Sequence, residues 1–227
     1  MLERMDLFFE ARLEGYDEHM LRDIEGAREF YPFTAAQLPL FPGCSVLDLG
    51  CGTGLELEFY FERNPEAAVT GIDLSEKMLR ALREKYPKKE LQLIRDSYFD
   101  VPLGENRYDA VVSVESLHHF TMEEKSGLYK KIFRCLKPGS SFVLTDYFAA
   151  DNKEESFFRR ELLRLKEENG IRDNGFYHYD TPLTVAHEIE ALRAGGFSRV
   201  DILGSWGATY CLKAVKLPVD PSKPGVG

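Results

Sequence analysis

The chain has 227 residues, of which 44% are hydrophobic, and its net charge is -9. This length suits one large domain with a substantial core. The acidic charge argues against nucleic acid and against an anionic membrane surface, because both are bound through Lys and Arg. The sequence has no signal-peptide pattern, no apolar run near the about 18 residues of a membrane span, and no cysteine spacing typical of disulfide or zinc sites. We expect a soluble cytoplasmic protein, monomeric or homodimeric.

Residues 1–40 are predicted to form two helices, broken near Gly15 and again at Pro32, that act as a lid. From residue 41 strands alternate with helices. The predicted strands are 45–49, 68–73, 91–95, 108–114, 142–147, 199–203 and 208–216, and the predicted helices are 53–63, 76–86, 122–136, 154–169 and 182–194, the last of them capped by Thr181. This alternation indicates βαβ units and a parallel sheet covered on both faces.

We therefore predict an α/β fold with a Rossmann-like, seven-stranded, mostly parallel sheet. The connection at 204–207 is too short for a crossover helix, so the last strand should be antiparallel. The main domain is predicted to span 41–217, with 151–180 as an insertion that covers the substrate, and 218–227 is predicted to be a disordered tail.

A glycine loop, VLDLGCGTGLELEFY at residues 46–60, joins the first strand to its helix. Its glycines are Gly50, Gly52 and Gly54. Glycines at this position let a ligand approach the backbone closely, beyond the carboxyl end of a strand. The spacing is G-x-G-x-G rather than the dinucleotide pattern G-x-G-x-x-G, because Leu55 stands at the third glycine. Glu56 and Glu58 follow and would repel a phosphate, so an anionic ligand is disfavoured.

Carboxylates mark the ends of three consecutive predicted strands, at Asp48, Asp73 and Asp96. Asp73 can accept hydrogen bonds from ribose hydroxyls, and Asp96 from an exocyclic amine. An aspartate at a strand end can also simply cap the next helix, and this alternative is open for Asp96. Together these residues predict a ligand with a ribose, an adenine and positive charge.

Five segments in order, VLDLGCGTG, GIDLS, the Asp96-Ser97 step, YDAVVSVESLHHF and LKPGSSFVLTDY, resemble the motifs of the class I S-adenosylmethionine-dependent methyltransferases. The resemblance covers about residues 42–216 and implies S-adenosyl-L-methionine as cofactor, with S-adenosyl-L-homocysteine as product. The residues it places at the methionine part are Asp48, Gly50, Cys51, Gly52 and Ser113. The residues it places at the ribose and adenine are Asp73, Leu74, Met78, Asp96 and Ser97.

Catalytic candidates follow the fourth strand at Glu115, His118 and His119. A histidine there could take a proton from a hydroxyl or amine, although a ring nitrogen could equally cap the backbone. Neighbouring histidines do not share a helix face, so we predict no metal site. Tyr16 could place its ring near the sulfonium or could simply pack.

The predicted function is methyl transfer to an unidentified small molecule. One alternative is an enzyme of the same fold that modifies RNA or the cofactor, such as a carboxy-S-adenosylmethionine synthase. It would need an arginine at the site, for which the candidates are Arg159, Arg160, Arg164 and Arg172. A nicotinamide-dependent oxidoreductase is disfavoured by the loop pattern, and a cofactor-binding protein without turnover is the remaining alternative.

Overall fold

The computed structural model describes residues 2–173 and 175–218. The strands are β1 Ser45–Leu49, β2 Ala68–Asp73, β3 Leu91–Arg95, β4 Tyr108–Val114, β5 Leu136–Tyr147, β6 Arg199–Trp206 and β7 Thr209–Val215. The helices are α1 Met5–Ala11, α2 Tyr16–Asp23, α3 Ala27–Ala35, α4 Leu55–Arg63, α5 Glu76–Lys85, α6 Met122–Cys135, α7 Asn152–Glu168 and α8 Val185–Ala194. A 3-10 turn, Leu117–His119, follows β4.

The strands form one sheet in the order β3-β2-β1-β4-β5-β7-β6. Strands β1 to β5 pair in parallel, and β7 runs antiparallel to both β5 and β6. This confirms the predicted fold class, including the single antiparallel strand at the end of the chain. The strand order reverses between β1 and β4, and the crevice at such a reversal is where open α/β sheets bind ligands. The glycine loop and the 3-10 turn both begin at this crevice.

Helices cover both faces of the sheet because side chains of the buried strands alternate between them. Val46 and Val112 pack with Phe30 and Tyr60 of α3 and α4 in one core cluster. On the other face lie Leu47, Leu49, Val111 and Phe142, which pack with Leu128 and Ile132 of α6 and Leu192 of α8. The sheet is thus held between two apolar layers, which fixes the strand ends that build the site.

The N-terminal segment differs from its prediction. Three helices replace two, and the chain breaks at Gly15 and Gly26, both in the left-handed conformation. A Cβ at Gly26 would collide with the side chain of Trp206, so this turn also needs glycine for packing. Pro32 lies inside α3 instead of ending it. Because proline has no N–H, the carbonyl of Arg28, four residues earlier, lacks its helical hydrogen-bond donor. Arg28 is exposed, so water can supply that hydrogen bond.

Other boundaries shift by a few residues. Helix α8 begins at Val185, and its cap is Thr184, whose hydroxyl accepts the N–H of His187. The predicted cap, Thr181, instead donates its own N–H to the carbonyl of His118. Strand β5 begins at Leu136 rather than at 142, because the turn residues before it already pair with their neighbours. Residues 219–227 of the predicted tail lie outside the described residues. Within residues 2–173 and 175–218, no helix is both long and apolar enough to span a bilayer.

Candidate active site

A cavity with about 560 Å³ of empty space opens at the carboxyl ends of β1, β2 and β4. Its lining comes from α1, α2 and the segments after four strands: Met5, Asp6, Phe9, Tyr16, Gly50, Gly52, Asp73, Leu74, Ser75, Met78, Tyr98, Val114, Glu115, Ser116 and His119. The predicted residues Tyr16, Gly50, Gly52, Asp73, Leu74, Met78, Glu115 and His119 therefore meet in one place.

The three glycines of the loop are needed for different reasons. A Cβ at Gly50 would collide with Oγ of Ser116, whereas a Cβ at Gly52 would meet no protein atom within 4 Å. Since Gly52 lines the cavity, its bare backbone leaves room for a ligand. A Cβ at Gly54 would lie 2.5 Å from Cδ1 of Leu82, so that glycine serves helix packing. The expectation that all three glycines admit the ligand is therefore wrong for Gly54.

The N–H groups of the loop are already engaged by β2. Those of Gly50 and Cys51 donate to the carbonyl of Ile72 at 2.8 and 3.3 Å, and that of Gly52 donates to Oδ2 of Asp73 at 2.9 Å. A loop that binds phosphate offers such groups to its ligand. The N–H groups of Gly50, Cys51 and Gly52 are therefore not free to bind an anion, although the glycines allow a close approach.

Asp73 connects the loop to the next helix. Its Oδ1 accepts the N–H of Ser75 at 2.8 Å, while Oδ2 accepts that of Gly52. Burial raises the pKa of Asp73, and these N–H groups oppose the rise by stabilising the carboxylate. Each oxygen keeps a further lone pair. The side chain is therefore held where it can accept hydroxyl groups from a ligand in the cavity.

Asp48 and Glu56 form a buried acidic pair at the base of the loop. Both side chains are buried, and Oδ1 and Oδ2 of Asp48 and Oε1 of Glu56 have no hydrogen-bond partner among the described residues. Burial raises the pKa of both groups, and the neighbouring Glu56 raises that of Asp48 further. Such orphaned carboxyl oxygens favour a nearby cation. The pair does not itself line the cavity, but positive charge beside it would offset the burial of these carboxyls, so an adenosyl compound with an ammonium and a sulfonium group fits this site.

Five predicted cofactor residues lie outside the cavity lining, namely Asp48, Cys51, Asp96, Ser97 and Ser113. Ser113 is fully buried, and its hydroxyl donates to the carbonyl of Leu49 at 2.9 Å. Cys51 points its sulfur at Gly71. Asp96 is exposed and accepts the N–H of Ser97 at 2.7 Å, which matches its alternative role as a local cap. Their contacts with a cofactor stay predictions.

Sequence reasoning missed several lining residues. Tyr98 and Ser116 form a hydrogen bond across the cavity floor at 3.2 Å, and each directly follows a residue that was singled out. Met5, Asp6 and Phe9 come from α1. Their only signal was the amphipathic pattern of the N-terminus, which does not say where a helix docks.

Glu115 occupies a left-handed backbone conformation with φ of 49°. Non-glycine residues in this region are strained, and such strain concentrates at functional sites. Its Oε1 accepts the hydroxyl of Thr209 at 3.1 Å. Burial raises the pKa of Glu115 to about 7, although the neighbouring His118 lowers it. The conformation thus directs a readily protonated carboxyl into the cavity.

His118 is fixed by Asp146 at the end of β5. Its Nδ1 lies 2.5 Å from Oδ1 of Asp146, whose other oxygen accepts the N–H of Leu117. Burial alone would lower the pKa of His118, but the charge and hydrogen bond of Asp146 raise it to about 9. His118 does not line the cavity of the glycine loop but a second, adjoining one.

His119 lies between the two cavities. Its Nδ1 is 3.0 Å from Oδ1 of Asp180 but has no partner with hydrogen-bond geometry. Burial and the charge of His118 lower the pKa of His119 to about 4. The 3-10 turn brings the rings of His118 and His119 to 4.0 Å between centroids, so the expectation that adjacent histidines point apart, which holds for an α-helix, fails here.

The N-terminus and the 171–180 loop form a common roof. The N–H of Met5 donates to the carbonyl of Phe176, and that of His178 to Glu3. The rings of Phe8 and His178 stack with centroids 3.4 Å apart. The second cavity lies beneath this roof, lined by Phe8, Phe9, Ala11, Arg12, Glu14, Gly15, Tyr16, His19, Met20, Ile24, Glu115, His118, His119, His178 and Asp180. The predicted lid and substrate cover therefore meet above the site.

Comparison with known proteins agrees with this geometry. A family model described as a methyltransferase domain matches residues 46–139. An uncharacterised methyltransferase of Bacillus subtilis is 31% identical over 138 residues, which are 59% of this chain and 75% of that protein. The cycloartenol-C-24-methyltransferase of Arabidopsis thaliana is 32% identical over 147 residues, 61% of this chain. This chain covers only 43% of that plant protein's length.

Solved structures share the fold at low identity. A putative O-methyltransferase from Nostoc punctiforme superimposes with a TM-score of 0.66 at 20% identity, over 92% of this chain and 59% of that one. Human N-acetylserotonin methyltransferase, solved in complex with S-adenosylmethionine, gives 0.61 at 18% identity over 92% of this chain and 55% of that one. With the bacterial relative matched over most of its length, these findings show that the chain belongs to the class I S-adenosylmethionine-dependent methyltransferase family.

Proposed function

We propose that the protein transfers the methyl group of S-adenosylmethionine to a hydroxyl or amine of a small molecule. The observation that carries this proposal is the junction of the two cavities, which share Phe9, Tyr16, Glu115 and His119. One cavity has the glycine loop and Asp73 for an adenosyl cation. The other has an aromatic and acidic lining for an acceptor, so the two ligands would meet at the shared residues.

S-adenosylmethionine, when bound, supplies an electrophilic methyl group. Gly52 leaves space beside it, Asp73 accepts its ribose hydroxyls, and the ring of Tyr16 offers an aromatic face to positive charge. Glu115 is placed to take the proton of the acceptor, and a pKa near neutral suits that task. The roof above both cavities excludes water and aligns the reactants, which is where most acceleration of such a displacement arises.

Two alternatives lose support. None of Arg159, Arg160, Arg164 and Arg172 is among the lining residues of either cavity, and Arg159 and Arg164 pair with surface glutamates. A carboxylated cofactor would therefore lack the expected arginine from this set. A nicotinamide dinucleotide would meet a loop whose N–H groups are engaged. A cofactor-binding protein without turnover remains, and it is distinguished by experiment.

The test combines binding and turnover. Calorimetry should show binding of S-adenosylmethionine and S-adenosylhomocysteine but not of NAD. Incubation with S-adenosylmethionine and a panel of small hydroxyl and amine compounds should then release S-adenosylhomocysteine in an acceptor-dependent manner. Binding of NAD in preference to the adenosyl compounds would overturn the proposal, and binding of the cofactor with release by no acceptor would favour the silent binder.

A further inference from the structure

We propose that His118, His119 and Asp180 bind a divalent transition-metal ion at the edge of the second cavity. One nitrogen of each histidine and one oxygen of Asp180 all lie within 4.8 Å of one another. Two of these residues come from the 3-10 turn after β4 and the third from the loop of the roof. The N–H of Thr181 donates to the carbonyl of His118 at 2.7 Å and so holds the loop against the turn.

Each imidazole has one nitrogen aimed at the shared carboxylate. Nδ1 of His118 is engaged by Asp146, which leaves Nε2, and this atom lies 3.7 Å from Oδ1 of Asp180. Nδ1 of His119 lies 3.0 Å from the same oxygen. A small rearrangement of the three side chains would bring these atoms around one ion at the usual distances of about 2.0–2.2 Å.

The unpartnered nitrogen of His119 is an independent sign of a missing ligand. Its side chain is 4% exposed, and Nδ1 has no hydrogen-bond partner among the described residues. Leaving a buried polar atom without a partner destabilises the folded state. Coordination of an ion would satisfy this atom, which no protein group does.

The donor set selects the class of ion. Two imidazoles and one carboxylate are typical ligands of zinc, iron, manganese or cobalt, whereas magnesium and calcium prefer oxygen ligands. The bond from His118 to Asp146 is the outer-shell contact that fixes the orientation of a metal-binding histidine. The acidic residues around the cluster, Glu115 and Asp146, add negative charge that favours a dication.

The remaining coordination positions would face the second cavity, whose lining includes all three ligands. An oxygen atom of the acceptor could occupy one of them, beside Glu115. This role for the ion rests on the proposed methyl transfer, whereas binding of the ion does not. Ion binding is therefore measured without cofactor or acceptor.

The test uses the untagged full chain, stripped with a chelator and titrated with Zn²⁺ in calorimetry and with Co²⁺ in absorption spectroscopy. We expect one ion per chain and visible Co²⁺ bands typical of mixed nitrogen and oxygen ligands. H119Q and D180N should each weaken binding at least about tenfold. Asp146→Asn should weaken it about 10–100-fold, because outer-shell partners have effects of that size.

H187Q is the matched control. His187 also pairs with a carboxylate, Glu155, at 2.8 Å, but it lies outside the proposed set of metal ligands. We expect its affinity to stay within about twofold of the parent. Circular dichroism and thermal melting identify variants that fail to fold. If one of the two ligand variants, H119Q or D180N, does not fold, the other still tests the site. An absence of stoichiometric binding, or equal affinity in H119Q, D180N and the parent, overturns the proposal but leaves the methyl-transfer proposal intact.

Discussion

The two ends of the site are built in different ways. The cofactor end comes mostly from one stretch, residues 46–78, in which the register of β1 and β2 places the glycine loop beside Asp73. The acceptor end is assembled from segments far apart in the chain: α1, Glu115, the 3-10 turn, Asp146, the 171–180 loop and Thr209. Local backbone geometry determines the first end, whereas tertiary packing determines the second.

The electrostatics differ as well. At the cofactor end, Asp48, Glu56 and Asp73 are carboxyls whose pKa burial raises, and no described Lys or Arg lines that cavity. At the acceptor end, carboxylates and histidines lie in close pairs. The cofactor end is thus prepared for a cation, while the acceptor end is prepared to position and exchange protons or to hold an ion. The following variants test this division.

The largest expected effect is that of Glu115→Gln on turnover. Loss of a general base lowers kcat by about 10²–10⁴-fold. Steady-state kinetics with an acceptor from the panel measures this, and calorimetry should show binding of S-adenosylmethionine within about threefold of the parent. Glu123→Gln, at a surface pair with Arg159, is the control and should leave kcat unchanged. A fall in kcat of less than about threefold for Glu115→Gln would mean that the acceptor end needs no base there.

Asp73→Ala should weaken cofactor binding without affecting the acceptor end. Hydrogen bonds to a charged group contribute about 1.5–3 kcal/mol, which corresponds to about 10–150-fold in Kd. Calorimetry with S-adenosylhomocysteine measures the change. Asp96→Ala is the comparison at an exposed strand end and should cost less than about 1 kcal/mol. Equal losses in the two variants would show that the cofactor extends further along the strand ends than the cavity does.

Gly54→Ala and Gly52→Ala separate packing from binding within one loop. Both residues are left-handed, which costs alanine about 1–2 kcal/mol. Gly54→Ala must also displace Leu82, so urea unfolding should show a loss of about 2 kcal/mol in total. Gly52→Ala should lose less stability but more cofactor affinity. The reverse order would contradict the separate reasons given for these glycines.

Asp48→Asn should have the smallest effect. Unlike the preceding substitutions, it should raise the stability of the folded protein. The raised pKa means that the folded state holds a proton above about pH 4, where the unfolded carboxyl is ionised. Parent stability therefore falls as pH rises through this window. The asparagine amide can donate to Glu56 without that proton, so Tm without cofactor should rise about 2–4 °C at pH 7, which corresponds to about 1 kcal/mol.

A melting series from pH 4 to pH 8 tests this sign. The advantage of Asp48→Asn should shrink towards pH 4, where the unfolded Asp48 carboxyl begins to take up its proton as well. Cofactor affinity should fall in the same variant, because a carboxyl near the cation is lost. A variant that is both less stable and unchanged in affinity would indicate that the acidic pair is structural.

Sequence patterns predicted the sheet and the position of the glycine loop, because the residues that determine them are neighbours in sequence. The sheet, its antiparallel last strand and the meeting of Gly52 with Asp73 follow from alternation and strand-end position. The alternation of strands and helices in the sequence could not show that Ser116 lies against Gly50, because that contact depends on how β4 pairs with β1. It also could not bring Asp180 or Asp146 to the histidines, since contacts between distant segments leave no local signal. The position of Pro32 inside α3 was missed because it depends on exposure of the preceding turn.

The roof over the site has a practical consequence. Glu3 and Met5 bond directly to the 171–180 loop, whereas β7 ends at Val215 beside Ser141, which pairs with Ala110 near the start of β4, so this end lies at the opposite edge of the sheet. An affinity tag fused before Met1 would lie next to the entrance, where it could hinder ligands or supply stray histidines. A tag placed after the last strand keeps clear of that entrance, which makes it the better choice for every assay above.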